Sequence, residues 1–155
     1  MARIGIIGGG AWGTALALVV VRAGHEAMIW ARESEVAAAI NSRRENPAFL
    51  PGITIETGVS ATNDIRDAAQ SDAVLLTMPA QFLRATAKEL APKLEPGVPA
   101  VICAKGIELG SCALMSEVAA EALPRAPIAV LSGPTFAAEV ARGRGAASSG
   151  GWPWR

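Results

Sequence analysis

Three glycines near the start of the chain have a spacing that binds phosphate groups in many proteins. Gly8, Gly10 and Gly13 form a G-x-G-x-x-G pattern between an apolar stretch at residues 4–7 and an apolar run at residues 14–21. In a strand-turn-helix unit the first glycine allows a sharp turn, the second lets a pyrophosphate approach, and the third lets the helix pack closely. The N–H groups that begin such a helix attract anions. The pattern predicts a dinucleotide site; the alternative is a purely structural turn.

Arg32 is a second candidate for cofactor binding. It follows the predicted second strand at residues 27–31 and precedes Glu33. A carboxylate at this place binds the ribose 2′-hydroxyl of NAD, whereas an arginine pairs with the 2′-phosphate of NADP. Arg32 therefore slightly favours NADP, and Glu33 leaves NAD open. The plain alternative is a solvated arginine at a strand end.

Further candidates follow three later strands, predicted at residues 73–78, 100–104 and 128–131. In an open parallel sheet, the loops at the carboxyl ends of the strands line the ligand crevice. Pro79 follows the first of these strands and Lys105 the second. A lysine at this rim is placed to meet a phosphate or carbonyl oxygen, although an exposed loop lysine without a ligand fits the same residues.

Strands that alternate with helices must position these residues. A third strand is predicted at residues 59–62, and helices are predicted at residues 34–40 with Ser34 as cap, 82–94 with an early end at Pro92, 114–123 and 136–142. The alternation predicts an α/β fold of Rossmann type, a doubly wound, mostly parallel sheet with helices on both faces. In the loop at residues 46–52, Phe49 and Leu50 are expected to pack against the domain.

Composition excludes several classes of function. The 155 residues include 14 basic and 14 acidic side chains, so no basic face indicates nucleic acid or a membrane surface. The apolar run at residues 15–21 is too short to span a membrane, and glycines interrupt any signal sequence, so we expect a cytoplasmic protein. His25 is the single histidine and is expected in a turn, so no metal is predicted. Cys103 and Cys112 are expected to be reduced.

Five stretches occur in the order found in one family. They are GGGAWGTALA at residues 8–17, NPAFLPG at 46–52, Pro79 with Gln81, AKGIE at 104–108 and SGPTFAAEVARG at 132–143. The chain thereby resembles the N-terminal half of bacterial NAD(P)-dependent glycerol-3-phosphate dehydrogenases. The resemblance implies reduction of dihydroxyacetone phosphate to sn-glycerol 3-phosphate with NADPH or NADH, for phospholipid synthesis. For the full-length family it also implies a homodimer.

The resemblance also implies roles for individual residues. The cofactor would contact Gly8, Gly10, Ala11, Trp12, Gly13, Arg32, Pro79, Lys105 and Ala137, and the substrate would contact Lys105, Gly133 and Thr135. The family's general acid or base is a lysine of a C-terminal helical domain, so no catalytic residue is expected in this chain. Residues 1–143 are then an NAD(P)-binding domain and residues 144–155 an irregular tail. We expect a truncated chain that is close to inactive alone.

Two other functions stay open at this point. Another Rossmann reductase, such as a ketopantoate reductase or a phosphogluconate-type dehydrogenase, shares the glycine pattern, but the AKGIE and SGPTFA stretches argue against it. A nucleotide-binding module without catalysis fits the same fold, because a fold does not determine a function.

Overall fold

A parallel sheet of six strands forms the centre of the molecule. The computed structural model describes residues 1–133 and 135–143, so the predicted tail at residues 144–155 lies outside the described residues. The strands are β1 (Arg3–Ile7), β2 (Glu26–Trp30), β3 (Val59–Thr62), β4 (Ala73–Leu76), β5 (Ala100–Ile102) and β6 (Ile128–Val130). Their order is β3-β2-β1-β4-β5-β6, and each neighbouring pair is parallel. The predicted doubly wound Rossmann-type fold is confirmed.

Helices cover both faces of this sheet. They are α1 (Ala11–Arg22), α2 (Ser34–Arg43), α3 (Ile65–Ala69), α4 (Leu83–Leu90), α5 (Met115–Ala122) and α6 (Ala137–Ala141). One apolar cluster joins α1, α2 and α6 to the sheet, and the other joins α3, α4 and α5. Ile6 and Ile7 of β1 point to opposite faces, as successive strand residues do, and both are fully buried. Burial on both faces explains why the strands are so apolar.

Several strands and helices are shorter than predicted. β3 has the predicted bounds, but β4 and β5 end at Leu76 and Ile102, each two residues early. The paired register ends at these two residues, and one further backbone hydrogen bond follows each, from the Thr77 N–H to the Ile7 carbonyl at 3.0 Å and from the Cys103 N–H to the Leu76 carbonyl at 2.9 Å. α4 ends at Leu90, before Pro92, as the proline predicts. α6 has only five residues.

Two local predictions are wrong. Glu33, not Ser34, is the N-cap of α2, because the Glu33 carbonyl already accepts hydrogen bonds from Val36 and Ala37 at 3.1 and 3.4 Å. Phe49 is 45% exposed, while Leu50 is buried as expected. A hydrogen bond of 2.8 Å from the Leu50 N–H to the Asn46 carbonyl closes this turn, with Leu50 on its inner side.

Three further single residues were considered from the sequence. His25 was expected in a turn but lies just after the turn at residues 23–24 and before β2, where its Nδ1 accepts a hydrogen bond of 3.2 Å from the Ala2 N–H. Cys103 is a buried free thiol, and burial raises its pKa to about 11, whereas Cys112 is an exposed free thiol. In the described part of the chain, no helix has the length and apolar character needed to span a membrane.

Candidate functional site

The glycine turn joins β1 directly to α1. Gly8 has a φ of +130°, which side chains rarely adopt, and its N–H donates to the Trp30 carbonyl at 3.0 Å. A Cβ on Gly13 would lie 2.0 Å from the Gly8 carbonyl oxygen. Both glycines are therefore required by the protein's own geometry, because no side chain fits where α1 packs on the turn.

Side chains and backbone hold three consecutive carbonyl groups of this turn. The Gly8 oxygen accepts from Thr77 Oγ1 at 3.0 Å, and the Gly9 oxygen accepts from Asn46 Nδ2 at 2.9 Å. The Gly10 oxygen accepts from both the N–H and the hydroxyl of Thr14, at 3.0 and 2.9 Å. In a trans peptide the C=O and the next N–H point in opposite directions. The N–H groups of this turn are consequently directed away from these partners.

The start of α1 is suited to an anion. The N-cap, Gly10, gives no side-chain cap to the helix, and within this described segment the first turn contains no acidic residue. A Cβ on Gly10 would meet no atom within 4 Å, and its φ of −74° is ordinary. Contacts within the protein therefore do not require a glycine at position 10. The first N–H groups of a helix lack partners within it and carry the positive end of its dipole, so they favour a phosphate here.

This helix start lies at the point where the strand order reverses. From β1 the chain proceeds to β2 and β3 on one side, and β4 then returns to the other side of β1. Ligands of open α/β sheets bind at this point, beyond the carboxyl ends of the strands. The glycine turn, Thr77 and Pro79 all lie there, since they follow β1 and β4. Pro79 is exposed and directly precedes the 3₁₀ turn Ala80–Phe82 as its N-cap.

Arg32 lies at the carboxyl end of β2, on the same edge of the sheet. Its side chain is exposed, and its guanidinium carbon lies 5.7 Å from the centroid of the Trp30 ring. The indole is fixed in turn, because Trp30 Nε1 donates to the Asn63 carbonyl at 3.2 Å. A cation above an aromatic face is attracted to it, so Trp30 limits where the guanidinium lies. Glu33 beside it is also exposed, so this edge offers both an arginine for the 2′-phosphate of NADP and a carboxylate for the ribose 2′-hydroxyl of NAD.

Lys105 and Gly133 meet at the far end of this edge. Lys105 Nζ donates to the Gly133 carbonyl at 2.8 Å, and the Thr135 N–H donates to the same oxygen at 3.1 Å. The structure thus brings together the three residues predicted to contact a substrate. An ammonium has three donors, so Lys105 can serve Gly133 and a ligand oxygen together.

A network of side chains holds the loop that carries Lys105. Arg84 makes two hydrogen bonds to Glu108, at 2.8 and 2.9 Å, which lower the pKa of Glu108 to about 2. Ser111 Oγ donates to the same carboxylate at 2.6 Å. The Gln81 amide donates to the Ile107 carbonyl and accepts from the Leu109 N–H, each at 2.9 Å. Gln81 thus holds this loop.

Ala137 begins the short helix α6, which lies against α1. It is half-buried and belongs to the side chains packed on the cluster of α1 and α2. Arg22 of α1 donates to the carbonyls of Val140 and Ala141, at 3.3 and 2.7 Å. A cation at the end of a helix stabilises its exposed carbonyls, so Arg22 fixes the position of α6.

Sequence reasoning missed the polar residues beneath the glycine turn. Thr14, Asn46 and Thr77 each donate to one of its carbonyls, but they lie 4, 37 and 69 residues from the glycine that each contacts. Asn46 opens the NPAFLPG stretch, and a polar residue at the start of an otherwise apolar loop was the available signal. Thr77 lay within a predicted strand, where nothing distinguished it.

Other features of the surface do not compete with this edge. Hollows of about 290 and 330 Å3 lie at the amino ends of the strands, one beside Leu94 and Leu123, the other beside Arg3 and Ser60. They contain none of the predicted site residues. Among residues 1–133 and 135–143, no three histidine, cysteine or acidic side chains group as metal ligands would.

Comparison with known proteins gives a consistent result. The family model described as "NAD-dependent glycerol-3-phosphate dehydrogenase N-terminus" matches residues 3–149. A glycerol-3-phosphate dehydrogenase [NAD(P)+] from Paramagnetospirillum magneticum is 62% identical over 143 residues, which are 92% of this chain and 52% of the relative. The chain therefore spans about half the length of that relative.

Solved structures show the same partial coverage. Glycerol-3-phosphate dehydrogenase from Coxiella burnetii superimposes with a TM-score of 0.84 and 31% identity, over 91% of this chain and 43% of that one. The enzyme from Saccharomyces cerevisiae gives 0.82 and 31%, over 90% and 44%.

Proposed function

The chain belongs to the family of NAD-dependent glycerol-3-phosphate dehydrogenase N-terminal domains, and on that premise we propose that residues 1–143 bind the dinucleotide of such an enzyme. One observation carries the proposal. Three consecutive carbonyls of the glycine turn are held by Thr77, Asn46 and Thr14, while an uncapped helix start faces the edge where the strand order reverses. This arrangement presents N–H groups to a pyrophosphate.

The residues present fit a dinucleotide along the carboxyl edge. The open space at Gly10, which a Cβ would fill without meeting protein atoms, suits the pyrophosphate beside Ala11, Trp12 and Gly13. Arg32 then binds the adenosine end, and a 2′-phosphate there would favour NADP over NAD. Pro79, Lys105 and Ala137 complete the cofactor contacts.

Lys105, Gly133 and Thr135 bind the substrate in this proposal. The substrate is dihydroxyacetone phosphate or glycerol 3-phosphate, and the Lys105 ammonium donates to its phosphate or carbonyl oxygen. When bound, the nicotinamide supplies the hydride for the carbonyl carbon. The chain's own residues hold the reactants in place. The general acid is expected outside this chain, so we expect binding by these 155 residues with little turnover.

Charge at the start of α1 tests the proposal. Ala11→Asp places a carboxylate in the first turn, where it favours the helix but repels a pyrophosphate. We expect calorimetry to show that the affinities for NADPH and NADH fall about tenfold or more. The new carboxylate and the pyrophosphate carry charges of the same sign, and bringing like charges together costs several kcal/mol. Ala120→Asp makes the same substitution at an exposed position near the end of α5, away from the carboxyl edge of the sheet, and is expected to leave both affinities unchanged. Equal affinities in all three proteins would contradict the proposal.

A further inference from the structure

Asn46 is a buried amide that contacts the glycine turn from a distant loop. It is fully buried, and only three polar or charged residues are buried in the described part of the chain: Thr14, Asn46 and Thr86. Two of the three contact each other, because Asn46 Nδ2 donates to Thr14 Oγ1 at 2.9 Å as well as to the Gly9 oxygen. Burying an amide is costly unless its groups are bonded, and all of these are.

The loop itself fixes the amide. Asn46 Oδ1 accepts from the Phe49 N–H at 3.3 Å, and the Asn46 carbonyl accepts from Leu50, whose side chain is buried. The side-chain oxygen of Asn46 therefore bonds its own loop, and its Nδ2 donates to the glycine turn and to Thr14 at the start of α1. Leu50 anchors this loop in the cluster that also contains α1 and α2.

The Gly9 contact controls the direction of one N–H group. The Gly9 carbonyl and the Gly10 N–H belong to the same planar trans peptide and point oppositely. With the oxygen bonded to Asn46, the Gly10 N–H is turned to the open side of the helix start. Thr14 acts similarly on the next peptide, since its hydroxyl donates to the Gly10 oxygen while accepting from Asn46.

We propose that Asn46 is a positioning residue for the dinucleotide site, which aims the Gly10 N–H at the pyrophosphate. This inference rests on the proposed function of residues 1–143. Asn46 does not touch the ligand; it acts through Gly9 and Thr14.

The test combines affinity with a spectroscopic signal specific to one peptide. ADP-ribose, which carries the pyrophosphate without the nicotinamide, is titrated into the full chain while backbone amide signals are followed by NMR. In Asn46→Ala we expect the dissociation constant to rise about tenfold, the effect of one lost hydrogen bond. At saturation, the ligand-induced shift of the Gly10 amide falls to less than about half, while that of Gly13 is retained.

Asn41→Ala is the matched control. Asn41 bonds both sides of its amide to Ala61, at 2.7 and 2.9 Å, but lies on α2 away from the glycine turn. It is expected to bind ADP-ribose like the parent chain, with an unchanged Gly10 shift. Asn46→Leu keeps the volume of the buried side chain and removes both donors, so it is expected to repeat the Asn46→Ala result and carries the test if that variant does not fold.

The outcomes separate the two claims. An equal loss of affinity in the Asn41 and Asn46 variants, or a Gly10 shift that Asn46→Ala and Asn46→Leu leave intact, would overturn the positioning role alone. A parent chain that does not bind ADP-ribose would overturn the proposed function and this inference with it.

Discussion

The side-chain nitrogen of Lys105 donates a hydrogen bond of 2.8 Å to the main-chain oxygen of Gly133, which joins residues 28 positions apart in the sequence. The contact lies where β5 and β6 end, and the Thr135 N–H reaches the same oxygen. The ammonium is thereby held at the carboxyl edge of the sheet, where the proposed substrate would lie.

Replacing Lys105 by methionine keeps its length and removes its charge. We expect the dissociation constant for glycerol 3-phosphate, measured with saturating NADH, to rise at least tenfold, because a hydrogen bond to a charged group contributes about 1.5–3 kcal/mol. Lys88→Met on the exposed face of α4 provides the comparison. If both variants bind glycerol 3-phosphate like the parent, Lys105 has no part in substrate binding.

Arg32→Ala tests the choice of cofactor. Arginine pairs with a phosphate through several donors, so its loss should weaken NADPH binding about tenfold and NADH binding little. Calorimetry with both cofactors gives the ratio. Arg43→Ala, at an exposed arginine of α2 that lies 3.4 Å from Glu45, should leave the ratio unchanged. A preference for NADPH that survives in Arg32→Ala would show that another residue binds the 2′-phosphate.

Glu108 makes stability depend on pH. Its ordinary pKa is 4.5, and the hydrogen bonds from Arg84 and then Ser111 lower the folded-state pKa to about 2. A carboxyl group whose pKa is lowered on folding stabilises the folded chain at any pH above its ordinary pKa. This stabilisation is lost as the pH falls from the ordinary pKa through the folded-state pKa. We expect the parent to melt above Glu108→Gln at pH 6 to 7, with the gap closing between about pH 4.5 and 2.

Glu89→Gln is the control for this pH dependence. Glu89 is exposed and lies 3.9 Å from Lys93. Its removal measures the general effect of one fewer carboxylate. A gap for Glu108→Gln that has the same size and pH profile as that for Glu89→Gln would show that the Arg84 pair adds nothing to stability.

Gly13→Ala should destabilise the whole domain. The added Cβ would lie 2.0 Å from the Gly8 oxygen and 2.8 Å from Thr77 Oγ1, so α1 or the glycine turn must move. Overpacking of this kind typically lowers the free energy of unfolding by about 1–3 kcal/mol. Urea unfolding measures the free energy. A stability equal to that of the parent would mean that α1 shifts freely on the turn.

The glycine pattern and the fold were readable from the sequence because they depend on neighbours in the chain. Gly8, Gly10 and Gly13 are set between an apolar strand and an apolar helix, and β3 was predicted to the residue. Asn46 and Thr77 were not found, because their contacts join segments 37 and 69 residues apart. Spacing contains no information about such contacts.

The orientation of a loop residue was unreadable for a related reason. Phe49 and Leu50 are adjacent and equally apolar, yet one is 45% exposed and the other 5%. The turn closed by Asn46 decides between them, and its geometry depends on the helix packed beneath it. The strand ends were also missed because they depend on where two distant backbones stop pairing.

The central claim is that the space at Gly10 receives a dinucleotide. Gly10→Ala tests it most directly, because the added methyl group meets no protein atom within 4 Å and the φ of −74° suits alanine. Calorimetric titration with NADPH and NADH, alongside a thermal melt, is the measurement. We predict that the parent binds, and that Gly10→Ala melts like the parent but binds at least about tenfold more weakly, since its methyl group occupies the pyrophosphate's place. Unchanged binding by Gly10→Ala, or no binding by the parent, would contradict the claim.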